Sequence, residues 1–134
     1  MRVWNWVERL HYVIKEAEAR PFDYGGENCA LFAAQCVDAI QDGAYWEYAL
    51  RASFSDAAGA RDFMEREGGL EAATLKRLGS PSNWAQAQRG DVCLMPTQDG
   101  PALGICMGDT VALLAPKGIS YLKIDKALCV WKID

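Results

Sequence analysis

The sequence predicts an α+β domain in which N-terminal helices pack on a small C-terminal antiparallel sheet or half-barrel. Three observations lead there. Up to about residue 84, apolar residues recur with the three-and-four spacing of amphipathic helices. From Gly90 onward the texture changes to short β-type runs separated by turns containing Gly and Asp. Helices grouped before strands, in place of alternation, are the pattern of an α+β architecture. The 134 residues are 51% hydrophobic and contain no linker, repeat or low-complexity tract, so one domain over 1–134 is expected, helical over 1–84 and β over 90–134.

Trp6, Val7, Leu10, Val13, Ile14 and Ala17 mark the first helix, and Pro21 stops it. After the loop "PFDYGGE", Asn28 is placed to cap a second helix. Leu31, Phe32, Ala34, Cys36, Val37, Ala39 and Ile40 make that helix apolar on most sides before Gly43, which puts it in the centre of the core. "AYWEYALRASFSDAAGARDFMEREGG" reads as a short aromatic turn followed by a helix that Ser55 caps and Gly68-Gly69 ends. "LEAATLKRLGSPSNW" adds one more short helix and a loop. The strands are "DVCLMP", "ALGICM", "TVALLAP", "ISYLKI" and "ALCVWKI", divided by Asp-Gly, Gly-Asp, Lys-Gly and Asp-Lys turns.

Charge narrows the partners. With 14 basic and 18 acidic residues, a net charge of -4 and no basic run, neither nucleic acid nor an anionic membrane is expected as a ligand. No stretch approaches the roughly 18 apolar residues of a membrane span. Glu8, Glu16 and Glu18 interrupt the N-terminal segment where a signal peptide is apolar, so synthesis in the cytoplasm without a signal peptide is expected. The five cysteines form no CxxC pair and read as reduced thiols. Cys29 and Cys36 share one predicted helix, whereas Cys93, Cys106 and Cys129 fall on separate predicted strands. That spacing is not a metal-ligand pattern, and no metal or cofactor is expected. Asp91 and Asp109 follow glycine and read as turn residues.

Cys29 admits two readings. At a helix N-terminus the dipole and free backbone N–H groups stabilise a thiolate, which makes it a candidate nucleophile. Such a nucleophile needs a base, and His11 is the only histidine in the chain. The other reading is a small packing residue under Gly25-Gly26, with Asp23 and Glu27 nearby to oppose ionisation. The aromatic residues carry a separate expectation. Trp and Tyr are favoured anchors at protein interfaces, so Trp4, Trp6, Tyr45, Trp46 and Trp131 are candidate partner contacts, chiefly near the two termini.

The order "DYGGENC", "RGDVCLM" and "ALGICMGD" resembles that of the NlpC-type papain-like cell-wall peptidases. In that family an aromatic-Gly-Gly loop ends in Asp-Cys, a Gly-Asp strand follows, and a His-Val-Gly-Ile-Tyr strand brings the base. The resemblance implies that Ala102 occupies the histidine position and Leu114 the third polar position, so that the catalytic base is gone. The combination "RPFDYGGENCALFAAQCVDAI", "RGDV" and "ALGICMGD" more closely resembles a compact family of phage and prophage tail-tip proteins. It implies a structural or assembly component of a tail tip or baseplate, located in the virion tail, with other tail proteins as partners. The alternative it leaves is a cysteine peptidase or amidase acting on peptidoglycan peptides, with Cys29 as nucleophile and His11 or a partner-supplied group as base.

Overall fold

The computed structural model describes residues 1–19, 28–116 and 118–134. The expected Pro21 helix stop, the "PFDYGGE" loop with its Gly25-Gly26 pair and its Asp23 and Glu27 charges, and the Lys117 side of the Lys-Gly turn lie outside the described residues. Helix α1 (Trp6–Ala19) buries Leu10, Ile14 and Ala17. Helix α2 (Cys29–Ile40) starts where Asn28 leaves extended backbone (φ −139°, ψ 172°), and the Asn28 side chain accepts the Leu31 N–H at 2.9 Å. That bond satisfies one of the amides that every helix start leaves unpaired. Eight of the residues of α2 are buried, which makes it the centre of the core. The two helices run antiparallel, since the Val3 N–H donates to Ile40 O at 2.9 Å and Arg9 Nη2 to Asp38 O at 3.4 Å.

The segment expected as an aromatic turn is instead helix α3 (Trp46–Ser53). Its own cap residue, Tyr45, sits in the left-handed region at φ 53° and makes no side-chain cap bond. Asp38 of α2 supplies the cap from eight residues upstream: its two carboxylate oxygens accept the Trp46 and Glu47 N–H groups, each at 2.9 Å. Helix α4 (Ala57–Arg66) is capped by Asp56, whose side chain accepts the Gly59 N–H at 2.7 Å, one residue after the expected Ser55. Helix α5 (Leu70–Leu78) follows Gly68-Gly69.

The strands are β1 (Val92–Thr97), β2 (Gly100–Cys106), β3 (Thr110–Ala115), β4 (Gly118–Lys123) and β5 (Cys129–Trp131). They form one antiparallel sheet in the order β4-β3-β2-β1-β5. Four strands meander, and β5 returns to the free edge of β1 with Val92 opposite Trp131 and Leu94 opposite Cys129. Both faces are apolar, which is why the strands read as nearly continuous hydrophobic runs. On one face Val92, Leu94, Leu103, Ile105, Ala112 and Trp131 meet α1, α2 and α3 in the main core. On the other, Cys93, Met95, Cys106, Val111, Leu113 and Val130 form a smaller core. Short 3-10 helices at Trp84–Gln86 and Ile124–Lys126 meet beside this smaller core. Gly104 permits the closest approach within the sheet, because a Cβ there would lie 2.6 Å from Ala112 O. Among the described residues β4 and β5 remain opposite edges, so the sheet is open and not a closed barrel.

Two aromatic expectations are corrected by this packing. Trp131 is fully buried in the main core and donates its Nε1–H to Gly79 O at 2.9 Å. Trp46 faces inward from α3 and is 5% exposed. A large apolar ring gains more from the core than from a surface, and neither side chain is available to a partner.

Candidate functional site

The groove at Cys29 is built by the start of α2 facing α4 and α5. It has a volume of about 440 Å³, and its described lining includes Asn28, Cys29, Ala57, Ala60, Met64 and Leu70. A second hollow of about 250 Å³ continues it between α3, α5 and β2, sharing Ala30, Met64 and Leu70 and reaching Leu103. The walls are mostly apolar, with Arg61 and Glu65 exposed on the α4 rim.

Cys29 lies half-buried at the floor, one residue inside its cap. Burial pushes its thiol above the ordinary value of 9.0, because an anion there loses more water than the protein replaces. Backbone groups of Leu103, Cys29 and Ala30 act in the opposite direction but do not overcome that cost. No charged side chain among the described residues figures in the balance.

The structure does not bring His11 to Cys29. Arg9 of α1 sits at the level of Asp38, near the C-terminal end of α2. Cys29 is at the other end of that helix, so His11, two residues past Arg9, falls short of it by roughly 10 Å at 1.5 Å per residue. His11 is also exposed on the outer side of α1, away from the Leu10, Ile14 and Ala17 stripe. It cannot take the proton.

The two strand positions singled out by the resemblance face opposite ways. Ala102 packs into the smaller core on the far side of the sheet, whereas Leu114 packs with the main core. The β2 residue that reaches the groove is Leu103, through its backbone beside Cys29 and its side chain in the adjoining hollow. None of these three residues carries a proton acceptor on its side chain.

Of the remaining aromatic candidates, Trp4 is 92% and Tyr45 70% exposed, and Tyr48, close to Tyr45 in sequence, is 77% exposed. Trp6 is half-buried beneath the Arg2 guanidinium, 4.2 Å from the ring centroid.

Sequence reasoning missed the most densely bonded polar site. Asp91, expected as a turn residue, is 0% exposed. One of its carboxylate oxygens accepts from Arg2 Nη2 at 3.2 Å and the Ile133 N–H at 3.0 Å. The other accepts from the Gln88 N–H at 2.8 Å and lies 2.6 Å from Lys132 Nζ. Arg2 also donates to Ile133 O at 2.8 Å and Arg89 O at 2.7 Å. Gly90 makes room for it: at φ +95°, a Cβ would lie 2.9 Å from Arg2 Nη1. Arg2, Asp91 and Lys132 were visible as opposite charges, but nothing local in the sequence pairs residues so far apart.

Helices covering one face of a five-stranded antiparallel sheet define an α+β protein whose groove holds a cysteine and no partner base among the described residues. The chain belongs to the DUF6950 family, a domain of unknown function, whose model matches residues 1–133. No curated protein matches it.

Proposed function

We propose that this protein is a non-enzymatic assembly component of a phage tail tip or baseplate, built on a scaffold related to the NlpC-type peptidases. The observation that supports a non-enzymatic role is the state of Cys29: a thiol held protonated by burial, in a groove with no base near enough to activate it among the described residues. A scaffold of this kind serves as a platform for binding, because fold and catalysis separate readily. Trp4 and Tyr45 supply the exposed aromatic anchors for neighbouring tail proteins. The phage assignment rests on the sequence resemblance.

The experiment is paired. Purified protein incubated with peptidoglycan peptides is expected to release no product, and Cys29→Ala is expected to enter particles and leave them infectious. Cleavage that disappears in Cys29→Ala would overturn the proposal in favour of a cysteine peptidase or amidase, with its base supplied by a partner. The observation favouring that second reading is the open groove at Cys29 and the backbone groups around its sulfur.

A further inference from the structure

The two edges of the sheet are not alike. Ser82 bridges the outer side of β5, its N–H donating to Val130 O at 2.6 Å and its carbonyl accepting the Val130 N–H at 3.0 Å. No such segment lies beyond β4 among the described residues. The phase of the ladder fixes which groups that leaves open. The Ile124 N–H donates to Asp109 O at 3.0 Å, and in the same register Leu122 is opposite Val111 and Ser120 opposite Leu113, so these residues turn their backbone groups toward β3. Ile119, Tyr121 and Lys123 turn theirs outward. Their N–H and C=O groups stand in a row with no partner among the described residues.

The side chains along that edge carry a charge pattern. Ile119 packs against the main core and Leu122 against the smaller one, so Ile119, Tyr121 and Lys123 share the face that carries α1. Glu18 of α1 sits over the start of β4: a Cβ on Gly118 would lie 3.2 Å from Glu18 O, and the Tyr121 hydroxyl donates to Glu18 Oε1 at 3.5 Å. Lys123 stands at the other end of the strand, exposed and without an ion pair among the described residues. A lysine on an edge discourages pairing with an arbitrary strand. It favours one that brings a carboxylate opposite it, and β4 with its Glu18 is such a strand.

We propose that β4 pairs with β4 of a second copy, antiparallel about a two-fold axis at Tyr121, joining two five-stranded sheets into one. In that register Tyr121 of one copy faces Tyr121 of the other, and Ile119 faces Lys123. Each outward N–H then meets an outward carbonyl. Lys123 of each copy reaches over Ile119 of the other toward its Glu18, and symmetry forms that charge pair twice. An edge contact this short makes a reversible dimer. The pairing does not rest on the phage assignment.

Sedimentation of the purified full chain over a concentration series, at low and high salt, tests the pairing together with backbone hydrogen exchange at the same concentrations. The expected result is a monomer–dimer equilibrium that weakens with salt. The Ile119, Tyr121 and Lys123 amides are expected to be protected only in the dimer, and those of Ser120 and Leu122 in both states. Lys123→Glu turns two attractions into two repulsions and is expected to weaken dimerisation roughly tenfold, and adding Glu18→Lys is expected to restore it. Both positions are exposed, so the fold should survive the exchange. A chain that stays monomeric up to about 1 mM would overturn the proposal. So would a dimer indifferent to Lys123→Glu, one whose outward amides exchange as in the monomer, or an edge that takes only an extended peptide of another protein.

Discussion

Two short motifs open two elements of this molecule and meet opposite fates. Asn28-Cys29 starts α2 beside a groove, and its thiol has a few backbone groups around it and no charged partner among the described residues. Gly90-Asp91 leads into β1, and its carboxylate is fully buried among Arg2, Lys132 and the Gln88 and Ile133 amides. A buried carboxylate is tolerated only when its charge and lone pairs are answered, whereas a half-buried thiol simply keeps its proton. Among the described residues, the denser polar chemistry joins the segments around Arg2 and Lys132 to the sheet.

Breaking the Asp91 joint should have the largest effect. Asp91→Ala strands Arg2 and Lys132 and frees two amides, and is expected to lower the unfolding free energy by about 3–5 kcal/mol. A denaturant titration matching the wild type would remove the contrast. Asp38→Ala removes the remote cap of α3 and should cost about 1–2 kcal/mol. Hydrogen exchange at the Trp46 and Glu47 amides reads it, and unchanged protection would mean that α3 needs no cap.

Cys29→Ala should change stability by less than about 1 kcal/mol, since it deletes one sulfur from a half-buried site. The same residue has a pH signature. Its folded thiol titrates above the unfolded value of 9.0, so its contribution is fully present below pH 9 and is lost as pH rises through the folded value. Cys36, fully buried, is shifted in the same direction by burial alone. Unfolding free energy is expected to fall with rising pH above about 9, less steeply in Cys29→Ala. Alkylation of native Cys29 already complete at neutral pH would contradict the protonated thiol. The smallest effect on stability belongs to Trp4→Ala: at 92% exposure the ring supports no packing, and a change within about 0.5 kcal/mol is expected. If Trp4 is an assembly contact, the same variant should fail to join particles while folding normally.

What was legible in the sequence was local. The Asn28 cap, the apolar run of α2 and all five strand segments follow from spacing and turn residues within a few positions. Helix α3 was not legible because its cap comes from Asp38 on another helix, while Tyr45-Trp46 resembles an aromatic turn. The burial of Trp131 depends on β5 returning to β1 across the rest of the sheet, a pairing no local pattern specifies. At the candidate site, Cys29 was found from its helix start. The side of β2 that meets it was not, because residues 102 and 103 exchange faces with a shift of one position.

The Asp91 joint also orders events in time. Arg2 and Ile133 are 131 positions apart, and both close on a carboxylate in between. During synthesis the helices and the β1–β4 meander can form from neighbouring segments as they emerge. Asp91 has to wait in water, already flanked by its strand, until Lys132 and Ile133 have left the ribosome. The sheet is locked to the first segment only when the stretch after β5 arrives.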